Sequence, residues 1–332
     1  MAHHPIRRHL GVKWLPALLL GAAAVIALAL TLGSAGGPWL AQIQALIDTN
    51  TDPTLHRVIW ELRWPRVAGG FAVGAMLALS GALMQVLLRN PLADPYVLGT
   101  AGGASVATLI AITMGAGVAV VNTAAFVGAL LTIALVFGLS LTRGSVATSN
   151  LLLTGVVLAS LWGAMTSFLL VTLPNTDLSA VFFWLLGDLS RVMNLPAGYL
   201  ILAAGMLWSL MLAPALNILT RGELNAAALG VNVNALRLQL FVLSSLLCAG
   251  AVTLAGPIGF IGLVIPHALR FLSITDHRAL LPASALAGGS VLVLADLLAR
   301  TAMAPRQLPV GVMTAAIGVP VFLWLLRRGA RA

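Results

Sequence analysis

Six histidines, one cysteine, one lysine and nine carboxylates are the side chains with which this 332-residue chain could do chemistry. Their spacing denies most of it. His3, His4 and His9 share a basic tail, His56 stands apart, and His267 and His277 lie too far apart in sequence for a short helical metal-ligand pair. Cys248 sits in an apolar run with no second cysteine, so it reads as a packed thiol and not as part of a disulfide or metal set. A glycine loop that cradles phosphate ends in Lys followed by Ser or Thr, whereas the lone Lys13 is followed by Trp14. ATP is therefore not hydrolysed by this chain through that machinery. No nucleophile and base are spaced as a hydrolase would need. An ion-driven carrier keeps ionisable groups at mid-membrane depth, but the charges here crowd the ends of apolar runs, with Asp296 the ambiguous case.

The elements that must carry these residues are set by composition. Hydrophobic residues make up 60% of the chain and charged residues 8%, and the mean hydropathy is +1.03. A soluble domain carries roughly 25% charge, whereas a bilayer accepts apolar side chains facing outward and demands only internal backbone bonding. Apolar runs recur at 14–33, 66–88, 97–114, 118–142, 151–173, 196–216, 236–255, 257–272, 279–299 and 308–326, predicting ten membrane helices. The first run follows Arg7, Arg8 and Lys13, as a leader peptide would, but at about 19 residues it is long enough to span and reads as a retained helix. The run at 257–272 is short and holds Pro257 and Pro266, which predicts a broken or tilted element. Val181 to Met193, with Asp188 and Arg191, is too short to span and reads as a helix on the membrane surface or dipping into the bundle.

Ten spans put both termini on one side. That side then holds twelve basic residues against three acidic ones, while the other holds six against six. The positive-inside rule makes the termini cytoplasmic. The net charge of +9 is scattered singly between apolar runs and forms no stripe for nucleic acid. Two segments look soluble, an outer one from Ser34 to Arg63 and an inner one from Asn217 to Asn234. Neither is long enough for a second domain, so residues 1–332 are expected to form one transmembrane domain with a cytoplasmic tail at 1–13 and an inner loop at 217–235.

Several separated motifs in order resemble the iron-complex and vitamin B12 permeases of bacterial ABC importers, the FecCD type. The C-terminal third carries Gly256-Pro-Ile-Gly-Phe-Ile-Gly-Leu-Val-Ile-Pro-His267, Thr275-Asp-His-Arg-Ala-Leu-Leu-Pro282, Ala295-Asp-Leu-Leu-Ala-Arg300 and Leu308-Pro-Val-Gly-Val-Met-Thr314. The N-terminal half adds Leu62-Arg-Trp-Pro-Arg66, Ser80-Gly81, Gln85 and Arg89-Asn-Pro-Leu-Ala-Asp-Pro-Tyr-Val-Leu-Gly99.

The resemblance implies an all-α polytopic permease of about ten transmembrane helices with type II importer architecture. It implies a homodimer in the bacterial inner membrane, with two cytoplasmic ATPase subunits that use ATP and Mg²⁺ and a periplasmic substrate-binding protein. This chain would bind no cofactor itself. The implied cargo is a chelated iron compound, ferric siderophore or haem, with vitamin B12 as the alternative. By the same resemblance Asn90, Thr148 and Ser149 border the cytoplasmic gate. Arg221, Glu223, Ala227, Leu229 and Gly230 belong to an ATPase-coupling element, where Gly222 and Gly230 bracket a short Ala-rich helix as breakers would. Arg63, Arg66 and Arg300 are expected to form an outer cationic patch that docks the binding protein.

Overall fold

Backbone groups in hydrocarbon have no water to bond, so a chain this apolar must satisfy them within itself. The computed structural model describes residues 13–33, 39–48, 52–142, 145–146, 148–172, 178–190, 192 and 194–329. The tail at 1–12, together with Arg143, Asp177, Arg191, Met193 and Arg331, lies outside the described residues. The helices are α1 (Trp14–Thr31), α2 (Trp39–Ile47), α3 (Pro53–Arg57), α4 (Trp64–Leu87), α5 (Thr100–Thr113), α6 (Val118–Ser140) and α7 (Thr148–Thr172). They continue with α8 (Leu178–Leu185), α9 (Leu195–Leu219), α10 (Glu223–Ala228), α11 (Val233–Ala255), α12 (Ile261–Phe271), α13 (His277–Thr301) and α14 (Val310–Gly329). Among the described residues, eight helical stretches are long and apolar enough to cross a membrane, and the shorter apolar α5 and α12 bring the set to ten. The protein is an all-α polytopic bundle.

The second span begins earlier than hydropathy predicts. Asp52 accepts bonds from the Thr54 and Leu55 N–H groups, with Pro53 at the first helical position, and so starts α3 well inside the segment read as a soluble loop. A π-helical stretch, Val58–Arg63, then carries α3 into α4 without a break. Pro53 to Leu87 is one 35-residue rod.

A helix that is apolar all round keeps no polar face for water and can be enclosed on every side. α4 fits this description: every residue from Ala72 to Leu87 is buried, and nearly all are small or apolar. It packs most extensively on α13 and α11, and also on α12, α9 and α1. Two glycines make this possible. A Cβ at Gly74 would collide with the Gly288 carbonyl of α13, and one at Gly81 would collide with the Gly262 carbonyl of α12. Small residues thus let backbones meet where lipid offers no hydrophobic drive for association. Leu20, Leu131, Phe168, Leu200 and Met211, on the peripheral helices, stay exposed and face outward.

Where the chain leaves the helix inside the bundle, it bonds to other irregular segments. The stretch after α8 inserts between helix ends: the Asp188 N–H donates to the Ala255 carbonyl, while the Val310 and Gly311 N–H groups donate to the Gly187 and Leu186 carbonyls. The segment read as surface-lying or dipping therefore dips. The run expected to be broken or tilted by Pro257 and Pro266 is interrupted at 256–260, between α11 and α12, but α12 continues through Pro266; it begins only after Phe260 in the left-handed region. From these contacts Gly74→Val is expected to destabilise the protein by about 1–3 kcal/mol through overpacking against Gly288. Gly21→Val, on an open face of α1, should change stability by no more than about 0.5 kcal/mol. Melting temperatures of the detergent-purified variants check the difference.

Candidate functional site

The end of the bundle that holds α10 is built from the turns between α4 and α5, α9 and α11, and α12 and α13. α10 stands between Gly222 at φ 113° and Gly230 at φ 80°, as the two breakers predict. After its last turn the Gly230 and Val231 N–H groups bond back to the Ala227 and Ala226 carbonyls, closing a left-handed cap. Ala226 is buried and seats the helix, while Arg221, Ala227 and Leu229 are exposed. Leu224 and Leu229 are 89% and 69% exposed. Leu224 was missed by the motif-based reading, and two large apolar side chains on or beside a six-residue surface helix are the signal that could have found it.

Glu223 was expected to belong to the ATPase-coupling element. One of its carboxylate oxygens, Oε1, faces the Nη2 atoms of both Arg89, beyond the end of α4, and Arg237, in the first turns of α11. Arg89 also stands out for its backbone. The Arg89 and Asn90 N–H groups close α4 by bonding to the Val86 and Gln85 carbonyls, which places Arg89 at the left-handed cap position with φ 49°. Glycine is the usual occupant there, and an L side chain raises the energy by roughly 1–2 kcal/mol.

The turn beyond Arg89 is rigid. The Asn90 side chain accepts from the Leu92 N–H at 2.9 Å, and Asp94 caps the 3₁₀ turn Pro95–Leu98 through the Tyr96 N–H at 2.8 Å. This turn runs inward along the bundle. Pro95 lies against Gly262, Val97 against Gly155 of α7, and the Tyr96 hydroxyl accepts the Ile258 N–H at 3.1 Å. At the head of α5, Thr100 meets Cys248, which is more than half way along α11. Asn90 and Ser149 are both exposed at the α10 end, and Thr148 begins α7 there. A cleft of about 300 Å³ opens where the α4–α5 turn meets the end of α9, lined by Gln85, Arg89, Thr220 and Arg270 among others.

The α12–α13 turn closes this end. Asn217 of α9 donates to Asp276 at 2.7 Å and accepts from the His277 backbone N–H at 2.9 Å. Burial raises the Asp276 pKa, but bonds from the Arg278 N–H and Asn217, with the charges of Arg278 and His277, outweigh it and hold the carboxyl below its ordinary value.

At the opposite end, Arg63, Arg66 and Arg300 do converge, as the motif reading supposed. Their side chains turn inward, which corrects the expectation of an open cationic patch. Arg66 forms a forked pair with Asp296 at 2.7–3.0 Å and donates to Gln307 at 2.9 Å. Arg300 approaches the same carboxylate, with Nε 3.7 Å from Oδ2, and donates to the Ala29 carbonyl. Arg63 donates to the Leu30 carbonyl at 2.8 Å and to Gln42 at 2.7 Å. Arg63 and Arg300 are each 5% exposed and Asp296 2%. The physical reason is that cations at the C-terminus of α1 meet its unsatisfied carbonyls, and a shared carboxylate offsets charge that would otherwise be buried alone. Asp296 is thus ion-paired at the end of its span. The i, i+4 spacing of Asp296 and Arg300 was the legible hint. Among the described residues, the exposed arginines at this end are Arg57 and Arg306. His56, Trp60 and Trp64 stack along one side of the rod, and the two tryptophans, about two-fifths exposed, suit an interfacial belt.

Asp276→Ala is expected to remove the α13 cap and the Asn217 tie, at a loss of about 1–2 kcal/mol. Because the carboxyl pKa is lowered by folding, its contribution is present above the unfolded carboxylate pKa and is lost as pH falls through and below that range. Acid titration of the melting temperature should therefore show a steeper decline for the wild type than for the variant.

The FecCD transport family matches residues 19–328. The chain is 42% identical to the cobalamin import system permease protein BtuC of Halobacterium salinarum, over 89% of this chain and 80% of that protein. It is 39% identical to the vitamin B12 import system permease protein BtuC of Escherichia coli O157:H7, over 96% of each. A solved structure described as an inward-facing conformation of a putative metal-chelate type ABC transporter superposes with a TM-score of 0.85 at 31% identity, covering 96% of this chain and 99% of that one. With a family match over nearly the whole length and a ten-helix bundle to accompany it, the chain belongs to the FecCD transport family.

Proposed function

We propose that this chain is the permease subunit of an ATP-driven importer for vitamin B12 or a closely similar corrinoid. The sequence reading ranked a chelated iron compound first and vitamin B12 second. The relatives named as vitamin B12 and cobalamin permeases, at 39–42% identity, support the reverse order. The chain works as a homodimer, with two cytoplasmic ATPase subunits that use ATP and Mg²⁺ and a periplasmic binding protein. Both termini are cytoplasmic, a reading supported by the charge asymmetry between the two sides.

The observation that carries the reading is α10. A chain without a phosphate loop needs ATP chemistry from elsewhere, and α10 offers a partner two exposed leucines on a helix seated by buried Ala226. Arg221, Ala227 and Gly230 frame that contact. Asn90, Thr148 and Ser149 border the inner mouth of the pathway, where small hydroxyl and amide groups can close without holding bulky cargo. At the Asp296 end the binding protein docks around Arg66, which retains 13% side-chain exposure, with Arg63 and Arg300 fixing the local shape.

Uptake by proteoliposomes holding the permease and its co-purified ATPase subunit tests this, using binding protein loaded with cyanocobalamin, a ferric siderophore or haem. ATP-dependent uptake of cyanocobalamin above the other two is expected. Uptake of an iron compound alone would restore the original cargo order, and uptake driven by a proton gradient without ATP would replace the importer reading. Leu224→Asp combined with Leu229→Asp should weaken ATPase co-purification at least tenfold, since two apolar anchors of about 1–2 kcal/mol each would be lost.

A further inference from the structure

An acidic residue at the head of a surface helix is an obvious candidate for contact with a partner. The geometry of Glu223 points elsewhere. Its Oε1 is buried and sits between two guanidiniums of the same chain, one beyond the end of α4 and one at the start of α11. Ala226, the other inward residue of α10, is apolar. The fork is therefore the charged tie between α10 and the two spans beside it. Exposed ion pairs add little to stability, and a shared oxygen at a half-open site is no exception. Its effect is on position.

Two further observations give that position meaning. Arg89 holds a left-handed backbone conformation that glycine would adopt without strain, yet the residue there carries the guanidinium that reaches Glu223. The segment that follows Arg89 is stiffened by the Asn90 and Asp94 side-chain bonds and runs into the bundle. It ends where Tyr96 meets Ile258 and Pro95 meets Gly262, at the break between α11 and α12. A continuous path of bonded or packed groups thus leads from α10 to the bundle interior. Packed and hydrogen-bonded groups of this kind can carry coupling between sites when they include an element with two arrangements that both ends bias.

We propose that Glu223 is a positioning residue that transmits movement of α10 through Arg89 to the 90–98 turn and the α11–α12 break, and that it is not a contact for the ATPase subunit. The proposal rests on the reading that α10 docks an ATPase, so docking and transmission are measured separately. Docking is read as the affinity of the co-purified ATPase subunit for the permease in detergent. Transmission is read as the nucleotide-induced change in maleimide labelling of Ser149→Cys, on a Cys248→Ser background, in the assembled complex.

Glu223→Gln and Arg89→Gly should each bind the ATPase subunit within twofold of the wild type. Both should reduce the nucleotide-induced labelling change at least fivefold. Arg89→Gly should melt no lower than the wild type because glycine suits its backbone, which separates lost transmission from lost folding. The double variant should be no worse than either single one, as expected for partners in one interaction. Glu223→Asp should recover part of the response. If Glu223→Gln weakens ATPase binding as strongly as the paired Leu224 and Leu229 substitutions, Glu223 is a contact and the proposal is wrong. It is equally wrong if both variants keep the full labelling change. Retained ATPase binding by the leucine variant would overturn the docking reading alone, while the labelling result would still decide the role of the fork.

Discussion

A polypeptide in hydrocarbon cannot leave a backbone N–H or C=O to water, and the interior of this bundle is arranged around that constraint. Long helices satisfy it by themselves. The stretches that are not helical satisfy it in company: the residues after α8 bond to the end of α11 and the start of α14, and the backbone N–H just beyond Pro257 donates to the Tyr96 hydroxyl. Each of these breaks in one helix is covered by a break in another. The glycines of α4 answer a second demand of the same medium, letting the backbones of α12 and α13 approach it closely.

Charge is handled by the same logic at both ends, with different outcomes. Around Asp296 the guanidiniums are deep, so they are spread over a carboxylate, side-chain amides and the carbonyls that end α1. Separating any partner would strand a buried charge, which makes that end a fixed joint of α1, α4 and α13. Around Glu223 the groups are partly exposed, with side-chain exposures of 32% for the acid and 50% for Arg89. Opening the contact there hands partly exposed side chains to water, at a smaller penalty than stranding a charge at the Asp296 end. One end is built to hold and the other to yield.

Much of the fold was legible because hydropathy reports what lipid demands. The ten spans, the break at Pro257 and the glycine-bracketed α10 all follow from single residues or short windows. The second span was misplaced at its start because Glu61, Arg57 and Arg63 made residues 53–63 look like a loop, although the helix continues through them. Side-chain direction was not legible. Arg66 finds Asp296 and Glu223 finds Arg89 across long stretches of sequence, so the arginines looked free and the glutamate looked available. Cargo was not legible either, since hydropathy reports what lipid demands and not what the bundle carries.

The unbroken helix from Pro53 to Leu87 has one consequence of its own. At 1.5 Å per residue its 35 residues extend about 52 Å, against a hydrocarbon core of about 30 Å. Its length therefore exceeds the hydrocarbon by roughly two-fifths of the rod. The Arg63 and Arg66 ties pin the rod to α1 and α13 where the π-helical stretch ends, so the surplus length lies on the Pro53 side of that joint as a stalk built on it.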